Sequence, residues 1–129
     1  MNTRVIAGAA GSVLAMTMVV AGSPAMANDR DVIREGGCSG ASDWKLKASP
    51  ENGRIEVEGE VDSNRNGQTW RWRLKHNGST SARGTATTRA PSGSFEVRRV
   101  VVNLAGTDHL TFRAINTGNG EVCRGSVDF

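Results

Sequence analysis

A two-sheet antiparallel β-sandwich of about seven short strands is the fold class this sequence predicts, and three observations carry it. Apolar and polar side chains alternate with period 2 in run after run from Asp43 to Phe129. Turn pairs such as Asn52-Gly53 and Asn77-Gly78 punctuate the runs, and both residue types tolerate positive φ. No stretch has helical periodicity of useful length, and no internal repeat or low-complexity linker interrupts the pattern. Seven strands in roughly 90 residues are the dimensions of a sandwich.

The chain opens with an export leader. Arg4 precedes the apolar and small-residue run VIAGAAGSVLAMTMVV, and GSPAMA ends it with the small-x-small pattern of a cleavage site, so residues 1–27 are expected to be removed after Ala27. The run holds about 16 to 18 residues, short of the roughly 20 that span a bilayer. No cysteine stands directly after it, and no second apolar segment follows. The mature product is therefore expected outside the cell, free or held at the wall, with no membrane contact once the leader is gone.

Residues 28–42 read as a polar lead-in carrying Cys38, and 43–129 as the sandwich domain. In WKLKAS, Trp44, Leu46 and Ala48 share one face. ENG turns the chain into RIEVEGEVD, where Ile55, Val57, Gly59 and Val61 alternate with Glu56, Glu58 and Glu60. After NRNG, QTWRWRLKH sets Trp70, Trp72 and Leu74 against Arg71, Arg73 and Lys75. Facing the tryptophans outward would bury unpaired guanidinium groups at several kcal/mol each, so the indoles are expected in the core. STSARGTATTRA is short-chained and polar, as edge strands are. SFEVRRVVV starts with Phe95 and Val97 inward, but Val100 and Val102 have the opposite parity, which predicts a bulge or a strand end near Arg98 and Arg99. DHLTFRAIN points Leu110, Phe112 and Ala114 inward, and EVCRGSVDF does the same with Cys123, Gly125, Val127 and Phe129.

Two cysteines in an exported chain of this size predict one disulfide, Cys38–Cys123, tying the lead-in to the last strand. Their spacing fits neither a metal site nor a redox motif. Net charge is +3, or +2 once Arg4 leaves with the leader, which is too near balance to indicate nucleic acid.

The run from Leu104 to Ala114 reads L-x-x-x-D-x-L-x-F-x-A. It resembles the sixth strand of immunoglobulin-type domains, and from Trp44 to Phe129 the chain resembles small secreted bacterial proteins of this immunoglobulin-like kind. The resemblance implies that Phe112 stands at the corner-tyrosine position, Ala114 at the core-cysteine position, and Trp70 or Trp72 at the core-tryptophan position. It implies nothing about activity, because sandwiches host many functions.

Chemistry-bearing residues are sparse. His76 and His109 stand at strand ends, and no nucleophile elbow, zinc-protease pair or phosphate loop occurs. No catalytic residue, metal ligand or cofactor is expected. By the immunoglobulin arrangement the second strand lies between the first and the fifth, so Glu56, Glu58 and Glu60 face Lys45, Lys47 and Arg98. The opposite sheet would gather Arg71, Arg73, Lys75, Arg83, Arg113 and Arg124 on its outer face, with Asp128 as the one obvious acid. Such a field attracts anions, and arginine forks suit carboxylate or phosphate. The expected function is a monomeric, non-catalytic binding module for an anionic envelope polymer, glycan or protein patch, without sequence-specific nucleic-acid recognition. Two alternatives stand beside it: a hydrolase inhibitor presenting the turn Pro91–Ser94 or Asn64–Gly67, and a small-molecule carrier. Carriers of this size hold a chromophore in an open apolar cleft and carry two disulfides.

Overall fold

A computed structural model describes residues 30–129; the leader at 1–27 and its cleavage point lie outside the described residues. Eight strands form the body: β1 (Val32–Gly37), β2 (Asp43–Glu51), β3 (Arg54–Asp62), β4 (Thr69–His76), β5 (Ser79–Thr87), β6 (Ser94–Val102), β7 (His109–Asn116) and β8 (Val122–Asp128). They make two four-stranded sheets, ordered β1-β2-β3-β6 and β5-β4-β7-β8, with every pair antiparallel. Strands β2 to β8 are the seven expected from the sequence, in the expected neighbourhoods. β3 lies between β2 and β6, and β5 edges the sheet that holds β4, β7 and β8. The chain crosses between sheets after β3, after β5 and after β6, while β2–β3, β4–β5 and β7–β8 are hairpins.

Local chemistry explains the hairpins. Asn52 and Gly53 have φ of 49° and 79°, and Asn77 and Gly78 have 50° and 87°. Two consecutive positive φ values give a turn whose twist matches the flanking strands, which is why Asn-Gly occupies both. The inward residues then meet in one core: Leu46, Ile55, Val61, Trp70, Leu110 and Ala114 are fully buried, and Trp72 keeps only 6% of its surface. Trp70 packs on Phe95 at 6.3 Å between ring centroids, and its indole N–H donates to Gln68 Oε1 at 3.4 Å. The tryptophans of the WRWR stretch are core residues and the arginines between them face out.

Two expectations are corrected. The polar stretch 28–37, expected as a loose lead-in, is ordered over Val32–Gly37, where β1 pairs with β2 from Val32↔Ala48 to Gly37↔Asp43. Its sequence, VIREGG, lacks apolar alternation because an edge strand is held by its ladder on one side only. β6 carries no bulge; it pairs with β3 in unbroken register from Asp62↔Ser94 to Arg54↔Val102. Val101 therefore joins Phe95 and Val97 inside, while Val100 and Val102 are exposed at 44% and 47%. The inward position between Val97 and Val101 belongs to Arg99. Its guanidinium lies 5.0 Å from the Trp72 ring centroid, a cation–π contact that lets an arginine cover apolar surface at the open margin between β5 and β6. The irregular pairing falls instead between β4 and β5, at Leu74 and Lys75.

The other margin is closed covalently. Cys38 and Cys123 form a disulfide, as the two-cysteine count predicts. Beside it the Trp44 indole is wedged between β1 and β8. A Cβ added at Gly36 would come within 2.9 Å of that ring, and one at Gly125 within 2.2 Å. Only glycine lets both backbones approach the indole so closely. Among the described residues no helix is long and apolar enough to cross a membrane.

Candidate functional site

Strand register decides what the outer faces present. On the β5-β4-β7-β8 sheet, Arg83 pairs with Arg73, Arg73 with Arg113, and Arg113 with Arg124. Four arginines thus stand abreast, one from each strand, across the full width of the sheet. Three inter-strand steps of about 4.8 Å give the row a length of about 14 Å. Along the strands, the next row on one side is Thr85, Arg71, Ile115 and Val122, and on the other Thr80, Lys75, Thr111 and Ser126. All six basic residues singled out in the sequence share this face. Arg71, Arg83 and Arg124 are exposed, while Arg73, Lys75 and Arg113 are half-buried.

None of the six takes part in an ion pair among the described residues. Asp128, the acid expected to temper the face, is paired with His109 at the end of the same face: its Oδ1 lies 2.5 Å from His109 Nδ1. Like charges placed directly opposite one another across a ladder are destabilising. The row carries that penalty at each of its three junctions, with no ion pair to offset it among the described residues.

Two open hollows flank the arginine row on this face. One, of about 580 Å³, is lined by Arg71, Arg73, Arg83, Thr85, Arg113 and Ile115, and also by Trp72 and Gly84. The other, of about 240 Å³, is lined by Arg73, Lys75, His109, Thr111, Arg113 and Arg124. Arg73 and Arg113 belong to both.

The opposite sheet is built differently. Lys47 and Arg98 flank Glu58 in register, and Lys45 stands opposite Glu60. Arg98 donates through Nε to Glu56 at 2.6 Å and lies 3.8 Å from Glu58. Burial raises the Glu58 carboxyl above its ordinary value; Lys47 opposes the shift, while Glu96 and Glu56 add to it. One sheet thus mixes both signs and pairs opposite charges across its ladder, and the other does not.

The histidines have partners that strand-end position did not reveal. His76 Nε2 lies 2.6 Å from Oδ1 of Asp108, a fully buried carboxylate that also accepts from the Leu104 N–H at 3.1 Å. The Leu-x-x-x-Asp spacing was the available signal, since it sets Asp108 one turn of chain after Leu104. The pair ties the loop before β7 to the end of β4. Among the described residues, no group of three or more His, Cys, Asp or Glu is placed to hold a metal ion.

The turns considered for inhibition form one unit. Ser63 donates to the Gly93 carbonyl through both its N–H, at 2.9 Å, and its Oγ, at 3.0 Å. Thr88 Oγ1 donates to the Arg65 carbonyl at 2.5 Å and accepts from the Gln68 N–H at 2.9 Å. Segments Asn64–Gly67 and Pro91–Ser94 are thereby locked together at one end of the sandwich. Comparisons with protein-family models, with curated proteins and with solved structures give no match to this chain.

Proposed function

We propose that this is an exported, non-catalytic binding module that recognises an anionic partner through the outer face of the β5-β4-β7-β8 sheet. The observation that carries the reading is the row Arg83–Arg73–Arg113–Arg124, four like charges abreast with no acid among them. A fold that only needed solubility would do better with interspersed signs, as its other sheet has. Unpaired guanidinium forks at this density are instead ready for a ligand that brings the missing charge. The leader sequence and the Cys38–Cys123 bond support placement in an oxidising compartment outside the cell.

The test is binding to purified anionic envelope polymers or acidic glycans against neutral ones. Affinity should fall as salt rises from about 50 to 200 mM, because exposed charges are screened over about 10 Å at 0.1 M. Replacing Arg71, Arg73 and Arg113 with Gln should weaken binding, and replacing Glu56 and Glu58 with Gln should not. Retention indifferent to both salt and the arginines would overturn the reading. It would favour the inhibitor alternative, for which the hydrogen-bonded tip of Asn64–Gly67 and Pro91–Ser94 supplies a rigid surface. The carrier alternative is the weakest, since arginines line both hollows of the basic face and two cysteines allow one disulfide where such carriers have two. Export itself is checked by intact mass: the secreted protein should begin at Asn28 and lack two hydrogens.

A further inference from the structure

The basic face has features that narrow its ligand beyond net charge, and each bears on a different part of that ligand. The first is density. Neighbouring arginines in the row are one inter-strand step apart, about 4.8 Å, so a bound anion meets two forks at once. A carboxylate has two oxygens in one plane and is matched by a single fork, its remaining lone pairs lying in that same plane. An ester-linked sulfate, or a phosphate monoester, has three free oxygens pointing in different directions and can accept from both neighbours. The second is extent. Five arginines and Lys75 share the face, so one small anion would leave most of the charge unanswered, whereas a chain bearing repeated anions answers it along the row.

The third is what surrounds the row. Trp70 and Phe112 are buried, and Trp72, which reaches the lining of the larger hollow, keeps only 6% of its surface, so this face offers no exposed ring on which nucleobases could stack. It offers hydroxyls instead: Thr85 on one side, Thr80, Thr111 and Ser126 on the other. The larger hollow adds the half-buried Ile115 to its lining, an apolar surface beside the arginines that suits the C–H face of a sugar ring. The two hollows lie on opposite sides of the row, one reaching Arg83 and the other Arg124, so units of a chain laid along the row have places to sit on alternate sides of it.

From these we infer that the ligand is a glycan bearing ester sulfates, laid across the strands along Arg83–Arg73–Arg113–Arg124. The inference rests on the anionic-partner reading above and specifies its chemistry. The direct test holds the polymer backbone constant. The disulfide-bonded protein is titrated with dextran sulfate, phosphorylated dextran, carboxymethyl-dextran of the same charge density, unmodified dextran and single-stranded DNA. Dextran sulfate should bind at least about tenfold more tightly than carboxymethyl-dextran, with phosphorylated dextran close to it because its oxygens are arranged alike, and DNA and unmodified dextran well behind. Arg73→Lys with Arg113→Lys keeps the charge and removes the forks. It should erase most of the sulfate preference while leaving salt-dependent binding and the melting temperature in place. Equal affinity for dextran sulfate and carboxymethyl-dextran would overturn the ester inference and leave the anionic-face reading standing. DNA binding as tight as dextran sulfate would overturn the glycan. Failure of every charged polymer to bind would overturn both readings together.

Discussion

Neutralising the centre of the arginine row should stabilise the protein, and the size of the gain should follow position. Arg73 has a like charge on each side, Arg83 and Arg113; Arg113 likewise stands between Arg73 and Arg124. Arg83 and Arg124 each have one such neighbour, while Arg71 faces Thr85 and Ile115. Cross-strand pairs are worth roughly 0.2–1 kcal/mol, and like pairs cost similar amounts. Arg73→Gln removes two like pairs while keeping most of the stem, for a gain centred near 1 kcal/mol. In a domain this small that is a rise of about 4–8 °C in melting temperature. Arg113→Gln should match it, Arg83→Gln and Arg124→Gln should gain about half, and Arg71→Gln almost nothing. Thermal melts of the five variants at low salt measure the order. The differences should shrink as added salt shortens the screening length from about 10 Å at 0.1 M toward 3 Å at 1 M. A loss of stability in Arg73→Gln, or a gain in Arg71→Gln as large as in Arg73→Gln, would refute the argument that the row is held against its own repulsion.

Three further outcomes follow from the fold. Trp72→Ala should cost roughly 3 to 5 kcal/mol by denaturant unfolding, as truncation of a buried aromatic does, against under about 1 kcal/mol for Arg71→Ala. Reducing the disulfide, or replacing both cysteines with Ser, should cost roughly 4 to 5 kcal/mol on chain-entropy arithmetic, because the bond spans a sequence separation of 85. Glu58 has a folded-state pKa raised above the reference 4.5, so the folded protein holds its proton more tightly than the unfolded chain does. Its contribution is therefore fully present below the unfolded value and is lost as pH rises through the folded one. The melting temperature of Glu58→Gln relative to the natural protein should accordingly increase with pH above about 4.5, and a difference that instead decreases would contradict the assignment.

Facing was legible in the sequence and register was not. Alternation alone placed Trp70, Trp72, Leu74 and Phe112 inside, because burying the intervening arginines would have been far more costly. The same alternation, together with the strand order implied by the immunoglobulin resemblance, put six basic residues on one outer face. That four of them stand abreast depends on how far β4, β5, β7 and β8 slide along one another, which local pattern does not encode. β1 was missed because an edge strand needs little apolar content, and its backbone ladder is invisible in side-chain periodicity. The expected bulge in β6 came from treating Val100 and Val102 as core residues. Reading period 2 straight through Arg99 would have predicted the observed pairing, but an inward arginine is credible only once Trp72 is seen beneath it. His76 and Asp108 are 32 residues apart, and only the packed fold brings them together.

The Cys38–Cys123 bond also determines how this domain would carry a load. Tension applied at residue 30 and at Phe129 runs along the chain to Cys38, across the sulfur bridge, and out from Cys123. Everything between the cysteines lies off that path. With the bond intact, only the eight steps from residue 30 to Cys38 and the six from Cys123 to Phe129 can be drawn out, about 50 Å at full extension. Without it the described chain could pay out more than 300 Å at the same reach per residue. β2 through β7, and with them Arg71, Arg73, Arg83 and Arg113, are shielded from the pull. A module tethered at both ends would keep most of its basic face in register under stress, and reduction of one bond would convert it from a rigid link into an extensible one.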